Sequence, residues 1–208
     1  SAAEVVIPAE IEGLPVTKIG NAAFYSNTTL ESVILPDSVT SIGLEAFQDC
    51  AALESVTIPD SIMEIESFAF DGTPWLLAEQ QEKELVIIGK ILLDGKAAVG
   101  DIVIPDSITS IAEHAFAYNT YITSVVVPDS VTYIGSCAFF ECTALRLAEI
   151  PQSVTFVGGQ AFDNTPWLEE IKQENPMVIL GKTLYDGKNC TGDVEIPDGI
   201  VNIAHSAF

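Results

Sequence analysis

Basic residues are scarce. Eight Lys and Arg stand against 30 Asp and Glu, a formal net charge of −22. Such a surface repels nucleic-acid phosphates and anionic lipid headgroups, so neither nucleic acid nor membrane is an expected partner. Histidine is almost absent. His114 and His205 occupy unrelated local contexts, and neither sits in an H-E-x-x-H string or beside a serine or cysteine nucleophile signature. The four cysteines, Cys50, Cys137, Cys142 and Cys190, contain no C-x-x-C spacing, which argues against a thiolate metal site. The string Gly181-Lys182-Thr183 lacks the glycine a phosphate loop needs five residues earlier, where Pro176 stands. No apolar run is long enough to span a membrane, and no signal segment is visible. With no cofactor, metal or catalytic constellation indicated, the chain reads as a non-enzyme.

What is present is a beat. Phe24, Phe47, Phe70, Phe116, Phe139, Phe162 and Phe208 lie on one 23-residue lattice, with Leu93 and Tyr185 in the two remaining positions. Six residues after each lattice position stand Leu30, Leu53, Leu76, Val99, Ile122, Leu145 and Leu168. Twelve residues after it come Pro36, Pro59, Pro105, Pro128 and Pro151. A fixed period of this length identifies a solenoid of stacked units, none of which could bury its apolar side alone.

Each unit reads in two halves. The alternation of Val33 and Leu35 is strand spacing, and the proline that follows ends the strand because it has no N–H to give. The spacings of three and four in Val39-x-x-Ile42-x-x-x-Ala46-Phe47 predict a short helical or 3₁₀ return. A second period of 92 residues is superimposed. The segment 70–104 has its twin at 162–196, with Trp75 and Trp167 in equivalent places. Within the twin segments the run TPWLLAEQQEKE predicts a helix led by proline, and LVIIGKILLDG predicts two short strands.

The run Leu30 to Cys50, LESVILPDSVTSIGLEAFQDC, resembles the bacterial leucine-rich repeats of the BspA-like, or Treponema-type, family, and the GTPWL and LLDGK insertions resemble that family's irregular repeat. The resemblance spans essentially the whole chain. It implies an α/β fold, a right-handed β-α superhelix with a parallel concave sheet and short convex helices. It also implies an extracellular or cell-surface adhesion or interaction module of a bacterium. No ligand and no catalytic residue is transferred with it. The expected organisation is one leucine-rich repeat domain over residues 1–208, about eight to nine units in two 92-residue blocks, cut from a longer protein. The first unit carries five extra residues within 11–20.

Three sets of residues bear on function. Strand positions that alternate with the core pair are expected to line the concave face: Ile34, Thr57, Val103, Val126, Glu149 and Glu195. They read either as a ligand surface for an extracellular protein or as ordinary strand surface. Trp75 and Trp167 read either as plugs over the core or as exposed anchors for a glycan. Asp37, Asp60, Asp106, Asp129 and Asp198 each follow the corner proline and precede Ser or Gly, which predicts helix N-caps in preference to a calcium ladder. Cys50 and Cys142 share the third place after the Phe, about 19 Å apart at roughly 4.8 Å per layer, too far for a disulfide. All four thiols are expected to be free and buried. A structural spacer is the remaining alternative to a binding module.

Overall fold

The computed structural model describes residues 3–208, which fall into two compact units, Ser1–Ile91 and Leu92–Phe208. Within each, successive turns of the chain stack as a β-solenoid. In the first unit the strands Glu4–Val6, Ser32–Ile34 and Ser55–Thr57 pair in parallel, aligning Val6, Ile34 and Thr57. The second unit repeats this with Gly100–Val103, Ile122–Val126 and Leu147–Glu149, aligning Val103, Val126 and Glu149. Alternation sends Val33 and Leu35 inward, where both are buried. At the corner the Val39 N–H closes a turn onto the Pro36 carbonyl at 3.0 Å, and Ile62, Ile108, Val131 and Val154 do the same with their prolines.

The return half is not helical. After the corner comes a second parallel row of two-residue strands: Lys18–Ile19, Ser41–Ile42 and Glu64–Ile65 in one unit, and Ser110–Ile111, Tyr133–Ile134 and Phe156–Val157 in the other. Next the chain takes a left-handed residue two places before the lattice Phe and another two places after it, as at Glu45 and Asp49 (φ 56° and 57°) and at Cys137 and Glu141 (φ 55° and 58°). A left-handed residue with a side chain costs about 1–2 kcal/mol and ends any α-helix. The offset is a third ladder between turns: the N–H groups of Glu45, Phe47 and Asp49 donate to the carbonyls of Ser67, Ala69 and Asp71 at 2.8–3.0 Å.

True helices occur where the twin segments were expected to form them, at Pro74–Glu82 and Pro166–Glu174. Each has proline in its first turn, and the hydroxyls of Thr73 and Thr165 accept from the N–H groups of Leu76 and Leu168 at 3.1 and 3.2 Å. The 23-residue register survives because the helix still delivers Leu76 and Leu168 to the core. Beyond the second helix, Val178–Leu180 runs antiparallel to Thr183–Asp186. The five extra residues of the first unit are a tight hairpin, Glu10–Ile11 with Leu14–Pro15, turned by Glu12 and Gly13 at φ 53° and 78°.

The lattice phenylalanines form the axis of each core. Phe24, Phe47 and Phe70 stack at 5.1 and 5.3 Å, and Phe116, Phe139 and Phe162 at 4.7 and 4.9 Å, all within 9° of parallel. That spacing is the distance between hydrogen-bonded strands, so the backbone ladder sets the ring separation. At Tyr185 the ladder turns edge-on, and the phenol accepts from the Phe162 N–H at 3.0 Å while donating to Asp163 at 2.8 Å.

Candidate interaction surface

The side of the strand row that faces away from the core is a narrow apolar stripe. Val6 is 60% exposed and Ile34 37%, and Thr57 beside them is also exposed. In the second unit Val103 is 70% exposed, Val126 half-buried and Glu149 exposed. Five of the six expected positions therefore lie on strands in register, Ile34 and Thr57 in one unit, where Val6 joins them, and Val103, Val126 and Glu149 in the other. Glu195 is the exception. It is exposed but belongs to no strand, because the helix Pro166–Glu174 stands where its preceding neighbour would be and no later strand pairs with 193–196.

Carboxylates border the stripe. In the first unit Glu31 and Glu54 precede the strands, and Asp37 and Asp60 follow them; all four are exposed. The capping role expected for the aspartates is corrected: no helix follows Asp37, Asp60, Asp106, Asp129 or Asp198, because the segment there is a corner and a short strand. After Asp37 and Asp60 the next residue makes the corner bond instead: the hydroxyls of Ser38 and Ser61 donate to the carbonyls of Ala9 and Val39 in the preceding turn at 3.2 and 2.7 Å, and Ser153, after Gln152, donates to Val131 at 3.1 Å. In the second unit Ser124 and Thr123 both donate to Asp101 at 2.7 Å, and these bonds hold its carboxyl below the usual range.

Five of the eight basic residues are held by carboxylates away from the stripe. Lys18 pairs with Glu66 at 2.7 Å, Lys83 with Glu79, and Lys96 with Asp94 at 3.3 Å. Lys172 reaches Asp186 at 3.3 Å, and Lys188 reaches the same carboxylate at 3.9 Å. Burial pulls the Lys172 ammonium down, and the Asp186 and Glu169 carboxylates more than reverse it. These groups line an open groove of about 400 Å³ between the second helix and the Asp186-Gly187 turn.

The tryptophans face inward. Trp167 is 8% exposed and meets Phe162 at 4.9 Å, and the half-buried Trp75 meets Phe70 at 4.7 Å, each ring tilted about 60°. Both cover the end of a phenylalanine stack, as the plug reading expects. Neither offers the flat exposed ring that a glycan anchor needs.

The third place after the Phe is a hydrogen-bonding slot. Cys50 donates to the Phe24 carbonyl at 3.0 Å and Cys142 to the Phe116 carbonyl at 3.1 Å, so each thiol staples its turn to the one before. All four cysteines are free; Cys50 and Cys142 are buried, whereas Cys137 and Cys190 are only half-buried, more accessible than expected. Burial pushes the Cys142 thiol up to about 12. At pH 8 its thiolate fraction is then on the order of one in ten thousand. Iodoacetamide at that pH should alkylate Cys190 first and leave Cys142 intact until the chain is unfolded, which peptide mass mapping will show.

Two aromatic pairs with one exposed ring each, Phe156 and Tyr118, escaped the sequence reading. Tyr133 and Phe156 stack at 4.8 Å on the second strand row, and Tyr118 meets Phe140 edge-on at 5.6 Å. The 92-residue twin positions are Ser41, Glu64, Ser26 and Gln48, so comparing the two blocks position by position carries the signal.

A stacked, strand-turn array with a regular inward leucine and phenylalanine per turn is a leucine-rich repeat solenoid. The chain belongs to the BspA type leucine rich repeat region family, whose profile matches it in six copies over residues 17–120 and 109–208. Among solved structures it is similar to the T. pallidum leucine rich repeat protein TpLRR, with 31% identity over 78% of this chain and 65% of that one, TM-score 0.42. It is also similar to a leucine-rich repeat protein from Bacteroides ovatus, with 22% identity over 97% of this chain and 53% of that one, TM-score 0.41. A leucine rich cell surface protein from Faecalibacterium prausnitzii shares 20% identity over 99% and 78% of the two chains, TM-score 0.38. The chain thus spans less than two thirds of the first two proteins. No curated protein matches it. Among the described residues no helix is long and apolar enough to cross a membrane.

Proposed function

We propose that this chain is a non-catalytic protein-interaction or adhesion module of a bacterial cell-surface or secreted protein, and that its ligand docks on the outward side of the strand row. The observation that carries this reading is the in-register stripe of outward β-branched side chains on the strand ladder, the exposed Val6-Ile34-Thr57 in one unit and the exposed Val103 with the half-buried Val126 in the other. Repeat arrays present extended surfaces of this kind, and apolar side chains held on strands lose little conformational freedom on binding. The cell-surface assignment draws on the family and on the F. prausnitzii relative.

The test is a binding screen of the labelled chain against panels of extracellular matrix proteins and glycans at low and physiological salt. Capture of a protein that persists at physiological salt supports the reading, since diffuse attraction to so acidic a surface is screened there. Silence across the protein panel overturns it in favour of a spacer.

A further inference from the structure

We propose that the strand face of the unit Ser1–Ile91 takes a cationic protein segment, with apolar side chains on the Val6-Ile34-Thr57 stripe and Lys or Arg side chains on two carboxylate margins, Glu31 with Glu54 and Asp37 with Asp60. This rests on the interaction reading above and specifies the partner's chemistry. Ile34 is three residues from Glu31 and three from Asp37. At a strand rise of about 3.3 Å, each margin lies roughly 10 Å from the stripe, within the span of a long basic side chain leaving a segment seated there.

The margins do no work inside the fold. Glu31, Glu54, Asp37 and Asp60 have no ion-pair partner among the described residues, no helix follows the aspartates, and the corner bonds come from Ser38 and Ser61. Stacking Glu31 beside Glu54 and Asp37 beside Asp60 in adjacent layers sets like charges side by side, which is unfavourable in an isolated sheet. The unit has 15 acidic residues and three basic ones, and Lys18 and Lys83 are held by Glu66 and Glu79 away from the stripe. On the upstream margin the repeat itself does not demand acid, since the later turns hold Gly100, Thr123 and Arg146 there; on the downstream margin Asp recurs at 106, 129 and 198, with Gln152 between. The double acid border belongs to the first unit alone, and a cationic partner is the chemistry that relieves it.

The experiment titrates the full chain into a fluorescein-labelled twelve-residue peptide of alternating Lys and Val in 0.15 M NaCl, read by anisotropy. The peptide is expected to bind. Four exposed charge pairs together account for about tenfold in affinity, so Glu31→Gln, Glu54→Gln, Asp37→Asn and Asp60→Asn combined should weaken it by about that factor. The same number of charges removed from the turn row and first helix, Glu45→Gln, Asp49→Asn, Asp71→Asn and Glu82→Gln, should change it less than about twofold by the same reasoning. The margin variant should melt no lower than the parent, because those carboxylates support nothing in the fold. Equal losses in the two quadruple variants, or no peptide binding at this salt, overturns the inference. If the peptide fails while a protein captured in the screen still binds, the cationic partner is wrong and the interaction reading stands. If the protein panel is silent, the reading beneath it fails as well.

Discussion

Phe139→Ala should unfold the second unit at markedly lower denaturant. The ring is fully buried between Phe116 at 4.7 Å and Phe162 at 4.9 Å, so its removal opens a cavity in the middle of a stack that the strand ladder holds at fixed spacing. The turns above and below cannot close the gap without breaking their inter-turn hydrogen bonds, such as Phe139 N–H to the Ala161 carbonyl at 2.6 Å. A loss of about 3–5 kcal/mol follows for a buried Phe that cannot be replaced by collapse. Phe24→Ala removes a half-buried ring with one stacking neighbour among the described residues, Phe47, and should lose less than half as much. Urea unfolding followed by circular dichroism checks both. Equal shifts would show that the stack is incidental to stability.

The second large effect is expected at Asn119. It is 3% exposed, and its amide nitrogen lies within 3.2 Å of the carbonyls of Gly95, Lys96 and Ala98. Its side-chain oxygen accepts from the N–H groups of Tyr121 and Ile122 at 2.8 and 3.1 Å. One side chain thus satisfies backbone groups both in the preceding turn and at the start of the next strand. Asn119→Ala strands several buried polar groups at once and should cost about 3–5 kcal/mol. Asn27 occupies the same slot, but its hydrogen bonds are local and mostly exposed. Asn27→Ala should therefore shift the melting temperature far less, and a comparable shift would contradict the staple role assigned to Asn119.

The core was legible in the sequence because the period of 23 never lapses. Most lattice Phe and Leu side chains are buried in the stack, and even the twin segments keep Leu76 and Leu168 in place, whereas Val99 and Phe208 are exposed. The return half was misread for a physical reason. Spacings of three and four arise equally from a helix and from a two-residue strand joined to a looped turn, and hydrophobic pattern does not encode the sign of φ. The left-handed slot before the Phe is filled by Ala22, Glu45, Phe68, His114, Cys137, Gln160 and Ser206, with no glycine or asparagine to announce it, and the slot after the Phe holds Gly72 and Asn164 in only two of the turns.

The surface was legible only in part. Alternation placed Ile34, Thr57, Val103, Val126 and Glu149 on the outward side of strands, whereas Glu195 depended on a partner strand that alternation cannot supply. Which of two adjacent polar residues makes the corner bond was equally hidden. Asp37 and Ser38 both suit a turn, and only the geometry shows that the serine hydroxyl reaches the Ala9 carbonyl while the aspartate stays in solvent. The stacked pair Tyr133 and Phe156 was visible in principle, since the two residues are 23 apart and replace Ser41 and Glu64 of the first block.

The most direct test of the account is an arginine scan of binding to a protein captured in the screen, measured at physiological salt on Ile34→Arg, Val126→Arg and Leu77→Arg. The first two place a bulky charge on the strand stripes, and the third places it at an exposed site on the first helix. The account predicts a loss of at least about tenfold for a stripe variant, as expected where a buried apolar contact is replaced by an unpaired charge, with Leu77→Arg unchanged. Full binding by both stripe variants together with loss in Leu77→Arg would place the ligand on the insertion and contradict it.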